Sequence, residues 1–302
     1  MGRRVIHLGL CEILKNKFKI VRKRASYRMR IFWKYQFRRS DREPCFILAS
    51  RRTGSNLLLS YLNSIPGTSF APEVLHSGMY YGIRDKFISK NAAIRHILHS
   101  IHHCKHRVCG AKLIRIQMET HRIWPGDLKN LFPQAKFIIL YRKSLLEQYL
   151  SLKIAEMTNV WVWTKDFKLP DSLTIDPAGF EEHCRLTRAF YSRILAYPGI
   201  KESAVILSYE ELAGDPQRVF EEKIEPFLKL PETRVRSGMI RQNWKQPEEI
   251  IKNYGEIRHL AHEFLKLDFG VGASIVNPCP VVQAVPSFVP LGTWPQKTPL
   301  QA

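Results

Sequence analysis

Short, continuous apolar runs recur through the middle of the chain: Cys45 to Ala49, Val108 to Leu113, Lys136 to Tyr141 and Ala204 to Ser208. They are rich in β-branched and aromatic residues and do not alternate with polar ones, as expected of strands covered on both faces. Longer segments between them carry apolar residues at helical spacing. This alternation predicts an α/β fold of three layers, a central parallel sheet flanked by helices. Helices are expected to begin near Gly54, near Ser144, around Pro177 and near Asp215, where Asp215-Pro216 sets an N-cap before a proline at the first helical position. No internal repeat is visible.

The two ends follow different rules. Residues 1–40 crowd Arg3, Arg4, Lys15, Lys17, Lys19, Arg22, Lys23, Arg24, Arg28, Arg30, Lys34, Arg38 and Arg39 against a single acid, Glu12. Ile6, Leu10, Ile13, Leu14, Phe18 and Val21 run among these cations at helical spacing. A basic amphipathic helix on an anionic membrane surface and a helix packed on the protein by the same stripe both fit. Residues 271–302 hold Pro278, Pro280, Pro286, Pro290, Pro295 and Pro299 with little charge, which predicts a largely disordered tail. The expected organisation is a basic leader (1–40), a central domain (41–270) and a Pro-rich tail (271–302).

Charge narrows the partners. The 302-residue chain has a formal net charge of +20, which favours anions: nucleic acid, acidic headgroups or a polyphosphorylated small molecule. The six cysteines, Cys11, Cys45, Cys104, Cys109, Cys184 and Cys279, are scattered and read as free thiols in a reducing compartment. No apolar run reaches the roughly 20 residues of a spanning helix, and the start lacks a secretory pattern. A cytoplasmic protein is expected, with peripheral membrane contact through residues 1–40 left open.

The stretch from Cys45 to Leu62 reads as a buried strand, a polar turn and a helix. Such a turn cradles anions: the open N–H groups and positive dipole end of the helix face it, Gly54 allows close approach, Thr53 and Ser55 add hydroxyls, and Arg51 and Arg52 add charge. The Gly-x-x-x-x-Gly-Lys-Ser/Thr signature of P-loop nucleotide kinases and ATPases is not present there. A second strand, Lys136 to Tyr141, runs into Arg142 and then a helix bearing Ser151. Arginine there offers a planar fork to two phosphate oxygens.

The Arg52-Thr-Gly-Ser55 turn resembles the 5'-phosphosulfate loop of sulfotransferases that use 3'-phosphoadenosine-5'-phosphosulfate (PAPS), and Arg142 with Ser151 resembles their 3'-phosphate site. Cys109-Gly-Ala-Lys-Leu113, Val205 to Leu212 with Gly214-Asp-Pro216, and Arg241-Gln242 with Ile251 to Tyr254 are similar to segments of the bacterial carbohydrate and glycolipid branch, which includes trehalose and nodulation-factor enzymes. The likeness spans about residues 44–258. The Arg-Lys-Gly loop of the cytosolic sulfotransferases has no clear counterpart, Arg236-Ser-Gly238 being at best a departure from it.

The resemblance implies a P-loop-like fold, PAPS as donor, its desulfated product PAP as leaving group, no metal, and a carbohydrate or glycolipid hydroxyl as acceptor. Arg51, Arg52, Thr53, Gly54, Ser55 and Asn56 would hold the 5'-phosphosulfate, with Arg52 also stabilising the leaving oxygens. Glu73, in Ala71-Pro-Glu-Val74, would take the acceptor proton, with His76 the second candidate. Trp161 and Trp163 are candidate sugar-stacking residues. The cluster His99, His102, His103, Cys104, His106 and Cys109 fits no common zinc spacing. A nucleic-acid-binding protein, suggested by Phe32, Trp33, Tyr35 and Phe37 among leader cations, would leave both phosphate motifs unexplained. An inactive PAP-binding fold would keep them without turnover.

Overall fold

A computed structural model describes residues 42–77, 82–83, 88–102, 104–162, 168–239, 245–270 and 272–276. Strand β1 (Glu43–Ala49) leads into helix α1 (Ser55–Ser64) and strand β2 (Thr68–Glu73). Helix α2 (Lys90–His102) precedes β3 (Val108–Ile114); α3 (Arg115–His121) and α4 (Pro125–Leu131) precede β4 (Lys136–Tyr141). Helices α5 (Leu145–Thr158) and α6 (Pro177–Leu195) lead to β5 (Ala204–Ser208), which runs directly into α7 (Tyr209–Gly214).

The five strands lie in the order β2-β3-β1-β4-β5, every pairing parallel. The three-layer α/β expectation and the predicted helix starts are met. Buried side chains form two clusters that divide the strands by residue parity. Phe46 and Leu48 of β1 join the α2, α5 and α6 cluster, while Cys45, Ile47 and Ala49 join the α1 cluster. A strand buried on both faces has no use for alternation, which is why its sequence reads as one apolar run. From β1 the chain turns toward β2, and from β4 toward β5. Adjacent strands thus part in opposite directions, opening a crevice at the carboxyl ends of β1 and β4.

Two elements escaped the sequence pattern. Strand β2 reads Thr-Ser-Phe-Ala-Pro-Glu, and its proline discourages a strand assignment. It is an edge strand whose register with β3 shifts between Ala71 and Glu73, where the missing N–H of Pro72 is tolerated. Glu73 therefore ends a strand and is not a loop residue. The second is an antiparallel hairpin of β6 (Phe264–Asp268) and β7 (Gly272–Val276). The expected tail boundary at 271 cuts this hairpin, and Ala273 is buried against α6. The leader 1–40 and residues 277–302 lie outside the described residues. No helix among the described residues is long and apolar enough to cross a membrane.

Candidate active site

The turn after β1 is built on two left-handed residues, Arg52 at φ 61 and Gly54 at φ 77. Gly54 is required twice over. Its φ disfavours a side chain, and a Cβ there would lie 2.5 Å from Cδ2 of Tyr209. Thr53 is fully buried and its hydroxyl donates to the Ser50 carbonyl at 3.0 Å, so it braces the turn from within. The loop is also pinned from outside. Gln148 of α5 donates to the Arg51 carbonyl at 2.6 Å, and the buried Tyr191 hydroxyl accepts from Ser50 N (3.1 Å) while donating to the Leu140 carbonyl (2.7 Å). Gly54 offers no side-chain cap to α1, and the first turn of α1 has no acid, so its positive end is not neutralised by its own sequence.

Arg142 leaves β4 beside this turn and is nearly buried. Its Nη2 donates to Glu147 Oε2 at 2.5 Å, its guanidinium carbon stands 4.7 Å from the Tyr209 ring centroid, and its buried Nε has no hydrogen-bond partner among the described residues. Tyr209 is thus a wall shared by Gly54 and Arg142. Its neighbour Glu210 accepts from the main-chain N–H groups of Lys143 (3.0 Å) and Ser144 (3.4 Å), fixing the turn that follows β4. Both residues sit at the start of α7, which a Ser208–Glu211 capping box initiates.

Arg52 Nε donates to Ser151 Oγ at 3.0 Å, and its Nη1 donates to the Trp161 carbonyl at 2.8 Å. The basic residue of the turn and the helix serine, assigned by resemblance to different phosphates, are therefore in direct contact. Burial, reinforced by the Arg142 charge, pushes the Arg52 pKa down to about 10. Burial alone would lower Arg142 as well, but Glu147, Tyr209 and Glu210 outweigh it and hold Arg142 above the ordinary arginine value. Trp161 stands over Arg51, with the guanidinium carbon 5.7 Å from its ring centroid. Trp163 lies outside the described residues, as do Arg241 and Gln242.

On the β2 side, one lysine organises the acid. Lys112, 2% exposed within β3, ion-pairs with Glu73 Oε1 at 3.0 Å and also donates to Asn56 Oδ1 at the start of α1. Gln117 Nε2 donates to the other carboxylate oxygen, Glu73 Oε2, at 2.8 Å. Burial drives the Lys112 pKa below its ordinary value and Arg52 adds to this, with Glu73 opposing. His76 is exposed, and its main-chain N–H bonds back to the Glu73 carbonyl at 3.0 Å. Sequence reasoning quoted Lys112 within a motif but gave it no task, and it gave none to Gln117, Gln148, Tyr191, Tyr209 or Glu210. A lysine inside an otherwise apolar strand was the available signal, since lysine is almost never buried without a partner.

These elements suit a multiply charged nucleotide. Arg52, Arg142 and Lys112 converge on one loop, Arg142 keeps an unused buried donor, and α1 presents an uncapped positive end. No protein-family model matches the chain. Among solved structures it is similar to a sulfotransferase from Alicyclobacillus acidocaldarius, at 17% identity, covering 73% of this chain and 92% of that one with a TM-score of 0.47. It is similar also to mouse sulfotransferase SULT7A1 complexed with PAP, at 15% identity, covering 64% and 61% of the two chains with a TM-score of 0.39. In sequence it is 25% identical over 235 residues to nodulation protein H of Rhizobium meliloti, spanning 72% of this chain and 92% of that protein.

In sequence the chain is thus similar to a bacterial nodulation protein over most of both chains, and the solved structures it is similar to are sulfotransferases. Among the described residues no three His, Cys, Asp or Glu side chains form a metal-binding group. Cys45, Cys104, Cys109 and Cys184 are free thiols.

Proposed function

We propose that the chain is a PAPS-dependent sulfotransferase that moves the sulfuryl group of PAPS to a hydroxyl of a carbohydrate or glycolipid acceptor, with Glu73 as general base. The observation that carries this reading is the Lys112 ammonium, which ties the Glu73 carboxylate to Asn56 at the head of the donor loop. The acid is thereby held at a fixed place relative to the loop assigned to the sulfuryl donor. Its two oxygens are engaged by Lys112 and Gln117, which restricts rotation and favours one direction of proton capture. His76, an exposed residue just past the end of β2, is the second candidate for the role.

In the reaction the acceptor oxygen forms a bond to sulfur as the bond from sulfur to the bridging phosphate oxygen breaks. The acceptor proton passes to Glu73, and the electron pair leaves with PAP. Arg52 stabilises charge growing on the departing oxygen. Thr53 braces the loop whose Gly54, Ser55 and Asn56 main chain receives the 5'-phosphosulfate, while Arg51 adds charge at the rim. Arg142 and Ser151 receive the 3'-phosphate, Arg142 with the Nε that is unpaired among the described residues. Tyr209 and Glu210 fix these groups without touching the reacting atoms.

Calorimetry with PAP, PAPS and adenosine-5'-phosphosulfate tests the donor site. Binding of PAP and PAPS that weakens by about ten-fold or more when the 3'-phosphate is missing is expected. Folded protein that binds none of the three would overturn the reading, and salt-sensitive binding to arbitrary single strands, uncompeted by PAP, would replace it with nucleic-acid binding.

A further inference from the structure

Beside the donor loop lies a cleft of about 50 Å³ lined by Ser50, Arg51, Arg115, Ile116, Leu152 and His183. Its walls come from the turn after β1, the exit of β3, and helices α5 and α6, so it sits at the carboxyl end of the sheet. Two observations mark it as more than a packing fault. The first concerns His183, which is 7% exposed and whose Nε2 has no hydrogen-bond partner among the described residues. A buried polar atom left unpaired calls for an explanation, and a ligand is one. The second concerns exposed apolar side chains, one lining the cleft and one packed on its Arg51. Ile116 is 43% exposed and Trp161, standing over Arg51, is 41% exposed; with Met157 and Val162 they are the exposed large hydrophobic residues among the described ones. Apolar side chains beside a few fixed polar groups are how small-molecule sites are commonly built.

Resting on the sulfuryl-transfer reading above, we propose that this cleft is an acceptor subsite for a hydroxyl-bearing substituent, of hydroxymethyl size, on a saccharide whose C–H face lies against Trp161 and Ile116. The volume admits a small polar group of hydroxymethyl size, a single water needing about 10–15 Å³ of such space. A hydroxyl donates to an imidazole nitrogen and accepts from a guanidinium at once, so one group meets both His183 and an arginine. A carboxylate would offer no donor, and Arg115 already has a carboxylate, Glu119 at 3.3 Å. Burial, with Arg115 and Lys153, holds His183 at about 4, so its ring is neutral near neutral pH and keeps a lone pair.

The test is saturation-transfer NMR on the full chain with PAP, using 4-nitrophenyl β-D-glucopyranoside, the corresponding xyloside, which lacks the hydroxymethyl group, and the corresponding glucuronide. The glucoside is expected to bind about ten-fold more tightly than the xyloside, the size of one hydrogen-bonded group, and more tightly than the glucuronide. His183→Leu and Arg115→Met should each erase the glucoside preference while leaving PAP affinity within about two-fold, which also reports that the variant is folded. Ile116→Ser, at an exposed position, should weaken all three probes together. Absence of glucoside binding to the wild type, equal binding of glucoside and xyloside, tighter binding of the glucuronide, or a preference surviving both variants overturns the subsite. Loss of PAP binding by the wild type would instead overturn the donor reading on which it stands.

Discussion

Glu73 and Lys112 are joined across strands β2 and β3 by a 3.0 Å ion pair in which the ammonium is almost wholly buried. Because Lys112 also reaches Asn56, the pair couples the proposed base to the proposed donor loop. Replacing Glu73 by glutamine keeps a hydrogen-bonding oxygen for Lys112 and removes the proton sink. Turnover is expected to fall by about two to four orders of magnitude, the range usual for loss of a general base, with PAPS affinity unchanged by calorimetry. Unchanged turnover would transfer the role to His76.

Arg142 offers its unused Nε to the 3'-phosphate in the proposed site. Charge-assisted hydrogen bonds are worth roughly 1.5–3 kcal/mol, so Arg142→Ala should weaken PAPS binding by about ten- to a hundred-fold. Adenosine-5'-phosphosulfate, which lacks that phosphate, should bind variant and wild type alike. Equal losses for the two nucleotides would reject the assignment.

Gly54→Ala places a methyl group at a backbone φ of 77 and against Tyr209. A cost of about 1–3 kcal/mol in unfolding free energy is expected, together with weaker PAPS binding. Part of that cost is steric and belongs to the tyrosine. A double-mutant cycle with Tyr209→Leu should therefore recover a fraction of the lost stability. Strict additivity would mean that Tyr209 does not set the space above the loop.

His183 is held neutral by burial, with its pKa at about 4 against an ordinary 6.5. Between these values the unfolded chain binds the proton and the folded chain does not, so stability drops as pH falls from about 6.5 toward 4. The full effect is on the order of 3 kcal/mol. Thermal unfolding of wild type across this range should show the decline, and His183→Leu should flatten it. The same decline in both proteins would assign it to other groups.

The parallel sheet was legible because β1, β3, β4 and β5 are buried on both faces and leave unbroken apolar runs. The candidate donor loop stood out for a related reason: glycine, hydroxyls and arginines between a buried strand and a helix have few other uses. Strand β2 was hidden by Pro72, which an edge position and a register shift accommodate. The hairpin of β6 and β7 was hidden because its second strand, Gly-Ala-Ser-Ile-Val, opens on small residues just before a proline-rich stretch. The supporting residues of the site were hidden most deeply. Gln117, Gln148 and Tyr191 act through contacts 44 to 141 positions away in the chain, and no local pattern records a partner that distant.

Arg52 carries a full side chain on a left-handed backbone, a conformation that costs non-glycine residues roughly 1–2 kcal/mol. Glycine or asparagine would sit there more comfortably, yet neither could serve as the cation of the proposed mechanism. Position 52 is thus one where durability and turnover pull apart. A directed-evolution campaign that screened this protein for heat resistance alone would be drawn toward substitutions there, and under the proposed mechanism would enrich well-folded clones that transfer nothing unless each round also assayed sulfation.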